Sequence, residues 1–323
     1  MIGFFKSKYN FQPVIVIIFA MFLCADIFMY PPKTYHIHYC LPPLYNILSA
    51  ICKVPKIAVL IGFIILLINA FLFNSIVISN NLMGKHTYMP ALIYIILMSF
   101  FRSSIIPHNF ILINFIILLI IRLLFKIYDK SDPFQQIFNI GMLLAILSFF
   151  YLPGVVLLLF VWIVFIQFNI ISWREWAILL IGIFVPCFFL TFLYFWFDRL
   201  PELFHFVTYS LQSVNISLHF STGRYIFLAG LFLVILSNII YSLNEMERIT
   251  IMIRRKLIIF TYLIFISLAA GLVNNEPFNG LSLAMLPSGL FVSYYFQMIK
   301  KKFWREFLFL FLLLLFVASR LFI

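Results

Sequence analysis

The chain has 323 residues, 65% of them hydrophobic and 10% charged, and its mean hydropathy is +1.14. Soluble domains are nearer ~45–50% apolar and ~25% charged, so these figures exclude a soluble enzyme, a disordered chain and a nucleic-acid-binding domain. The net charge of +12, from 22 Lys+Arg against 10 Asp+Glu, then reflects not nucleic acid but basic loops on the cytoplasmic side of a membrane protein.

Lys6 and Lys8 precede the first apolar run. No small-x-small cleavage site follows, and Leu23 stands before Cys24 where a lipoprotein carries a small residue. The run is therefore expected to stay as an uncleaved first helix. Apolar runs bounded by charge, Pro or Gly predict spans at 13–30, 57–79, 89–105, 108–126, 134–151, 153–170, 175–197, 224–243, 256–274, 281–298 and 304–322. The stretch 134–170 is far longer than the ~20 residues of one crossing. Pro153-Gly154 in its middle is a turn signal, so it is divided into two short helices.

Charge supports that division. With the N-terminus inside and eleven alternating spans, 15 basic residues lie inside and 7 outside, the latter being Lys33, Lys53, Lys56, Arg102, Arg199, Arg224 and Arg320. A single span over 134–170 would move the clusters at 254–256 and 300–302 outside, against the positive-inside rule. The expected fold is all-α: a polytopic transmembrane bundle of about 11 spans, N-in and C-out. Residues 1–323 form one integral membrane domain.

Two external segments are expected to lie in the interface rather than cross. In 31–56, Leu44 to Ile51 is apolar but short, with Pro42-Pro43 before it and Pro55 after it, which fits an interfacial helix. In 199–223, Leu203, Phe206, Val207 and Leu211 recur at helical spacing, with the more polar His205, Thr208, Gln212 and Asn215 between them.

The outer side holds most of the unusual polar residues. Asp26 is the sole acid in the first 128 residues. A carboxylate near membrane depth is costly, so it has a functional or a pairing reason: a general base or metal-binding group, or an interfacial residue solvated or paired with Lys33 or Arg102. His36, His38 and Cys40 alternate as HxHxC, which on an extended segment puts three side chains able to bind a transition metal on one face, with no fourth ligand evident. Cys40 and Cys52 share that loop. A disulfide between them is open to the chain in an oxidising compartment.

Arg102 and His108 flank a turn, FRSSIIPHN. The guanidinium offers bidentate donors to phosphate or carboxylate, or it snorkels to the interface. Asp198, Arg199, Glu202 and His205 cluster after the seventh span, and Arg224 precedes the eighth. That cluster is a substrate-binding candidate or a local ion pair. On the cytoplasmic side Arg122, Lys126, Lys130 and Lys300 to Lys302 fit orientation and contact with anionic lipid. Asn139, Asn169, Asn238 and Asn274 fit interhelical hydrogen bonding.

The segment IIRLLFKIYDKSDPFQQIFNIGMLLAILSFFYLPGVVLLLFVWIVF at 120–165, ISWREW at 171–176 and LPSGLFVSYY at 286–295 together resemble a Gram-negative family of polytopic inner-membrane proteins of unknown function. Membership implies a location in the bacterial cytoplasmic membrane. The layout is also similar to polytopic glycosyltransferases that use lipid-phosphate sugar donors: a long helix, an external loop with an interfacial helix, a long helix, then two pairs of short ones. In those enzymes an Asp just after the first helix acts as base or binds a metal, a place Asp26 would fill slightly early. Their usual second acid is missing between 27 and 56. Arg102 or Arg224 would hold the donor phosphate.

The functional expectation is a non-catalytic subunit or assembly partner of a cell-envelope complex, in contact with membrane lipids and other envelope membrane proteins and not with nucleic acid. The alternative is a glycosyltransferase-like enzyme at the outer face, with Asp26 as base and a divalent metal as its cofactor. A lipid or solute transporter ranks third, since the chain shows no internal repeat.

Overall fold

The computed structural model describes residues 11–31, 40–84, 87–101, 109–128, 133–170, 172–212, 222–245, 249–273, 277–299 and 301–322. Among them every regular element is helical. In chain order these are α1 (Gln12–Met29), α2 (Pro42–Cys52), α3 (Pro55–Ser79), α4 (Met89–Ser99), α5 (Asn109–Tyr128) and α6 (Phe134–Phe150). A 3₁₀ turn (Leu152–Val156) leads into α7 (Leu157–Gln167), followed by α8 (Trp173–Trp196), α9 (Leu200–Gln212), α10 (Thr222–Glu245) and α11 (Ile251–Leu272). A single turn at Pro277–Gly280 precedes α12 (Ser282–Met298) and α13 (Lys302–Phe322).

Local chemistry sets several starts. Proline stands in the first turn of α1, α2, α3 and α4, where its missing N–H costs nothing and its fixed φ suits the helix. Ser172 and Glu175 open α8: the Ser172 N–H donates to Glu175 Oε2 at 3.2 Å, and the Ser172 hydroxyl bonds the same oxygen. At Tyr151 the backbone turns extended (φ −155, ψ 99), which separates α6 from α7 beside the predicted Pro153-Gly154 turn.

Among the described residues six helices are long and apolar enough to cross a membrane: Gln12–Met29, Pro55–Ser79, Phe110–Tyr128, Trp173–Trp196, Gly223–Ser242 and Ile251–Leu272. Met89–Ser99, Phe134–Phe150 and Leu152–Gln167 are apolar but shorter. All eleven residues of α4 are buried. At 1.5 Å per residue it is about 16 Å long, half the ~30 Å hydrocarbon thickness. The backbone beyond such a short helix is tolerable at membrane depth only when protein encloses it. α4 packs against α12, α3 and α1. α12 is nearly as enclosed, with Ser282 to Tyr294 and Phe296 buried.

Contacts define two ends of the bundle. At one, the Leu41 N–H donates to Phe149 O at 3.0 Å, and the Tyr151 hydroxyl reaches Ala270 O at 2.7 Å and Val273 O at 2.6 Å. Phe101 meets the Phe278 ring at 5.0 Å there, and Phe110 meets Tyr151 at 5.5 Å. At the other end, Gln297 Nε2 donates to Met83 O at 2.9 Å, Gln167 Nε2 donates to Arg255 O at 3.1 Å, and Tyr128 meets Phe168 at 4.9 Å. Successive core helices therefore run antiparallel.

Glycine permits the close approach of α6 and α8. A Cβ on Gly182 of α8 would lie 2.4 Å from Phe138 O of α6, and one on Gly141 would lie 2.4 Å from Leu179 O. Small residues let helices approach closely where lipid gives no hydrophobic drive.

Two boundaries need correction, and one open alternative is answered. α4 ends at Ser99, short of the predicted 105, and 102–108 lie outside the described residues. α11 begins at Ile251, not 256: Arg254, Arg255 and Lys256 extend the helix rather than bounding it, because long basic side chains are good helix formers. Cys40 and Cys52 are buried free thiols rather than a disulfide.

Candidate functional site

Asp26, one turn from the end of α1, is paired with α13. Arg320 Nε lies 3.3 Å from Asp26 Oδ2. Arg320 Nη2 donates to Ser99 O, the last carbonyl of α4, at 3.0 Å, and its guanidinium lies 5.0 Å from the Phe316 ring. A cation there meets the negative end of the helix dipole. The Asp26 side chain is 37% exposed and that of Arg320 16%, while Asp26 Oδ1 is buried without a hydrogen bond. Three helices are thus joined at one polar point. Among the described residues the partner is Arg320, while the expectation named Lys33 or Arg102. Both of the latter lie outside the described residues.

Arg224 stands in the first turn of α10, with its guanidinium 5.2 Å from the Phe278 ring. Phe278 also touches Phe101, and Phe227 touches Phe100 at 5.5 Å. Arg224 and the Asp26–Arg320 pair therefore approach the same end of α4, through different contacts. His108, and the metal candidates His36 and His38, lie outside the described residues. Cys40, their predicted companion, is 6% exposed. Burial pushes its thiol up to about 12, from an ordinary 9.0. Among the described residues no three His, Cys, Asp or Glu are grouped to hold a metal.

The Asp198–Arg199–Glu202–His205 cluster is local. Asp198 takes positive φ (52) as the chain leaves α8. Arg199 Nε and Glu202 Oε1 are 3.5 Å apart with side chains 67% and 54% exposed. Such pairs contribute about 0–1 kcal/mol. His205 is exposed and stacks on Tyr209 at 6.3 Å. Beneath them the expected face appears: Leu203 is buried, with Phe206 and Val207 half-buried.

Two further polar groups escaped sequence reasoning. In the core, the Tyr94 hydroxyl faces Asn69 and Asn114 without a bond of good geometry. Asn69 Nδ2 donates to Ile111 O at 2.9 Å, and Asn114 Nδ2 lies 3.7 Å from Met98 Sδ. At the opposite end, Lys256 is 2% exposed. Its Nζ donates to Asn80 Oδ1 at 2.9 Å and lies 5.4 Å from the Phe125 ring and 5.7 Å from Tyr128. Nothing in an RRK run marks which cation turns inward. For Arg320 side alternation gave only the shared end with Asp26, as it did for six other basic residues, and so did not single it out.

Apolar cavities lie between helices among the described residues, three of them as follows. One of 610 Å³ is lined by Leu152, Trp162 and Val207 among others, and one of 190 Å³ shares Leu152 and Val207. The third, 280 Å³, lies among α10, α11 and α12. No known protein family, curated protein or solved structure matches the chain. Its class follows from its helices: it is an all-helical chain with the features of a multi-pass membrane protein.

Proposed function

We propose that the chain is an eleven-span, N-in and C-out protein of a bacterial cytoplasmic membrane, acting as a non-catalytic subunit or assembly partner of a cell-envelope complex. One observation carries this reading: Asp26, the sole acid of the first 128 residues, is engaged by Arg320 in a brace joining α1, α4 and α13. The enzyme alternative needs that carboxylate to meet an acceptor hydroxyl. The charge asymmetry of 15 basic residues against 7 supports the orientation.

The test is a charge swap, Asp26→Arg with Arg320→Asp, in cells lacking the native copy. A brace keeps protein level, co-purifying membrane proteins and envelope composition near wild type, because the pair is rebuilt in reverse. A catalytic carboxylate would be displaced: protein level would recover while envelope glycans stayed altered. That second result, or a chain that leaves the membrane with no stable companion, overturns the proposal. Reporter fusions after residues 130 and 200 test the topology, with the first expected in the cytoplasm and the second outside.

A further inference from the structure

We infer that the groove among α10, α11 and α12 holds one acyl chain of an anionic phospholipid, whose phosphate is bound by Arg224. This goes beyond the subunit reading and stands without it.

The groove has a volume of 280 Å³, and its walls include Leu228, Phe232 and Ile239 of α10 and Phe265 of α11. Phe232 is 59% exposed and Phe265 71%, so the groove opens sideways, where a membrane would supply lipid. Its two hydroxyls are satisfied within their own helices: Thr261 donates to Ile258 O and Ser288 donates to Met285 O at 3.1 Å. Nothing polar is left to bind a sugar or peptide, and the cavity takes hydrocarbon.

Length and charge select the occupant. From Leu228 to Ile239 the groove runs about 16 Å along the helix, about half the ~30 Å hydrocarbon thickness, the depth of one leaflet. Arg224 lies one turn beyond Leu228 on the same face, since residues at i and i+4 share a face. Helical side chains point toward the N-terminus, which carries this guanidinium away from the hydrocarbon and toward headgroup depth. Arg224 is half-buried and rests on Phe278. No hydrogen bond or ion pair engages it among the described residues. The cation–π contact holds the guanidinium over the ring and leaves its N–H fork for the two oxygens of a phosphodiester.

The test is native mass spectrometry of the full chain released from detergent containing equimolar phosphatidylglycerol and phosphatidylcholine of identical chains. For the last lipid to dissociate, a several-fold preference for phosphatidylglycerol is expected. Arg224→Gln abolishes the preference, and Arg224→Lys retains most of it. Leu236→Trp, at the half-open wall of the groove, lowers retention of both lipids. Each variant is first matched to wild type in elution and Tm. An undiminished preference in Arg224→Gln overturns the inference. So does unchanged retention in Leu236→Trp, or displacement of the lipid by millimolar inorganic phosphate alone.

Discussion

α4 and α8 are both apolar, yet they occupy opposite environments. α4 has eleven residues, all buried; α8 has twenty-four, of which only Leu179, Gly182 and Tyr194 are buried. Phe184, Phe188 and Phe192 form an exposed ladder along α8, with successive rings 5.9 and 6.5 Å apart. Lipid is as apolar as leucine, so hydrophobicity does not decide which helix is enclosed. Close packing and polar contacts do. α4 carries Tyr94 and the Ser99 carbonyl that Arg320 bonds, whereas α8 is held to α6 through a pair of glycines.

The largest effect is expected at that glycine contact. Gly182→Leu drives a side chain into the Phe138 carbonyl, 2.4 Å from where its Cβ would stand. Backbone cannot yield as a side chain does, so the loss should reach or exceed the ~3 kcal/mol upper range of overpacking. Thermal unfolding in detergent measures it, and a wild-type Tm would show that α8 is not seated on glycine. Next comes Leu97→Ala in α4, which is 0% exposed and should cost about 2–4 kcal/mol through lost packing. Phe188→Ala on α8, 53% exposed, should stay within ~0.5 kcal/mol. Equal losses at these two positions would erase the contrast between the helices.

Between these lies the brace. Asp26→Asn should cost about 1–2 kcal/mol, tempered by the partial exposure of Asp26. Asp26→Asn with Arg320→Gln should cost less than the sum of the singles. Additive losses would mean the two groups do not interact. The smallest effect concerns Cys40, whose thiol burial holds near 12. Burial disfavours the thiolate, so the folded chain keeps its proton as pH rises from 9 toward 12 while an unfolded chain loses it. Alkylation of Cys40 in the folded protein should stay slow at pH 9 and become fast on unfolding. Rapid labelling in the fold would contradict its burial.

Element positions were legible because charge and proline bound apolar runs. The break inside 134–170 follows from its length and the Pro153-Gly154 turn signal, and α6 and α7 separate there. The end of α4 was not legible, since Phe100 and Phe101 continue the apolar pattern while the helix stops. Nor was the inward turn of Lys256, because Arg254 and Arg255 beside it carry the same charge and only tertiary packing against Asn80 and Phe125 separates them. Asp26 was recognisable as costly. Its partner was not, because a pair so distant in sequence leaves no local pattern. Asn69, Asn114 and Tyr94 were overlooked because neutral polar residues inside long apolar runs carry no periodic signal.

The Asp26–Arg320 contact also orders events in time. Asp26 leaves the ribosome early, and Arg320 is added only after α12 has been made. Throughout synthesis the carboxylate waits for this cation, so a polypeptide that stops short of Arg320 carries a mark of incompleteness in its own helix. A quality-control protease could read that mark. A chain truncated before Arg320 should be cleared quickly in pulse–chase, and Asp26→Asn should lengthen its lifetime, although the same change destabilises the full chain.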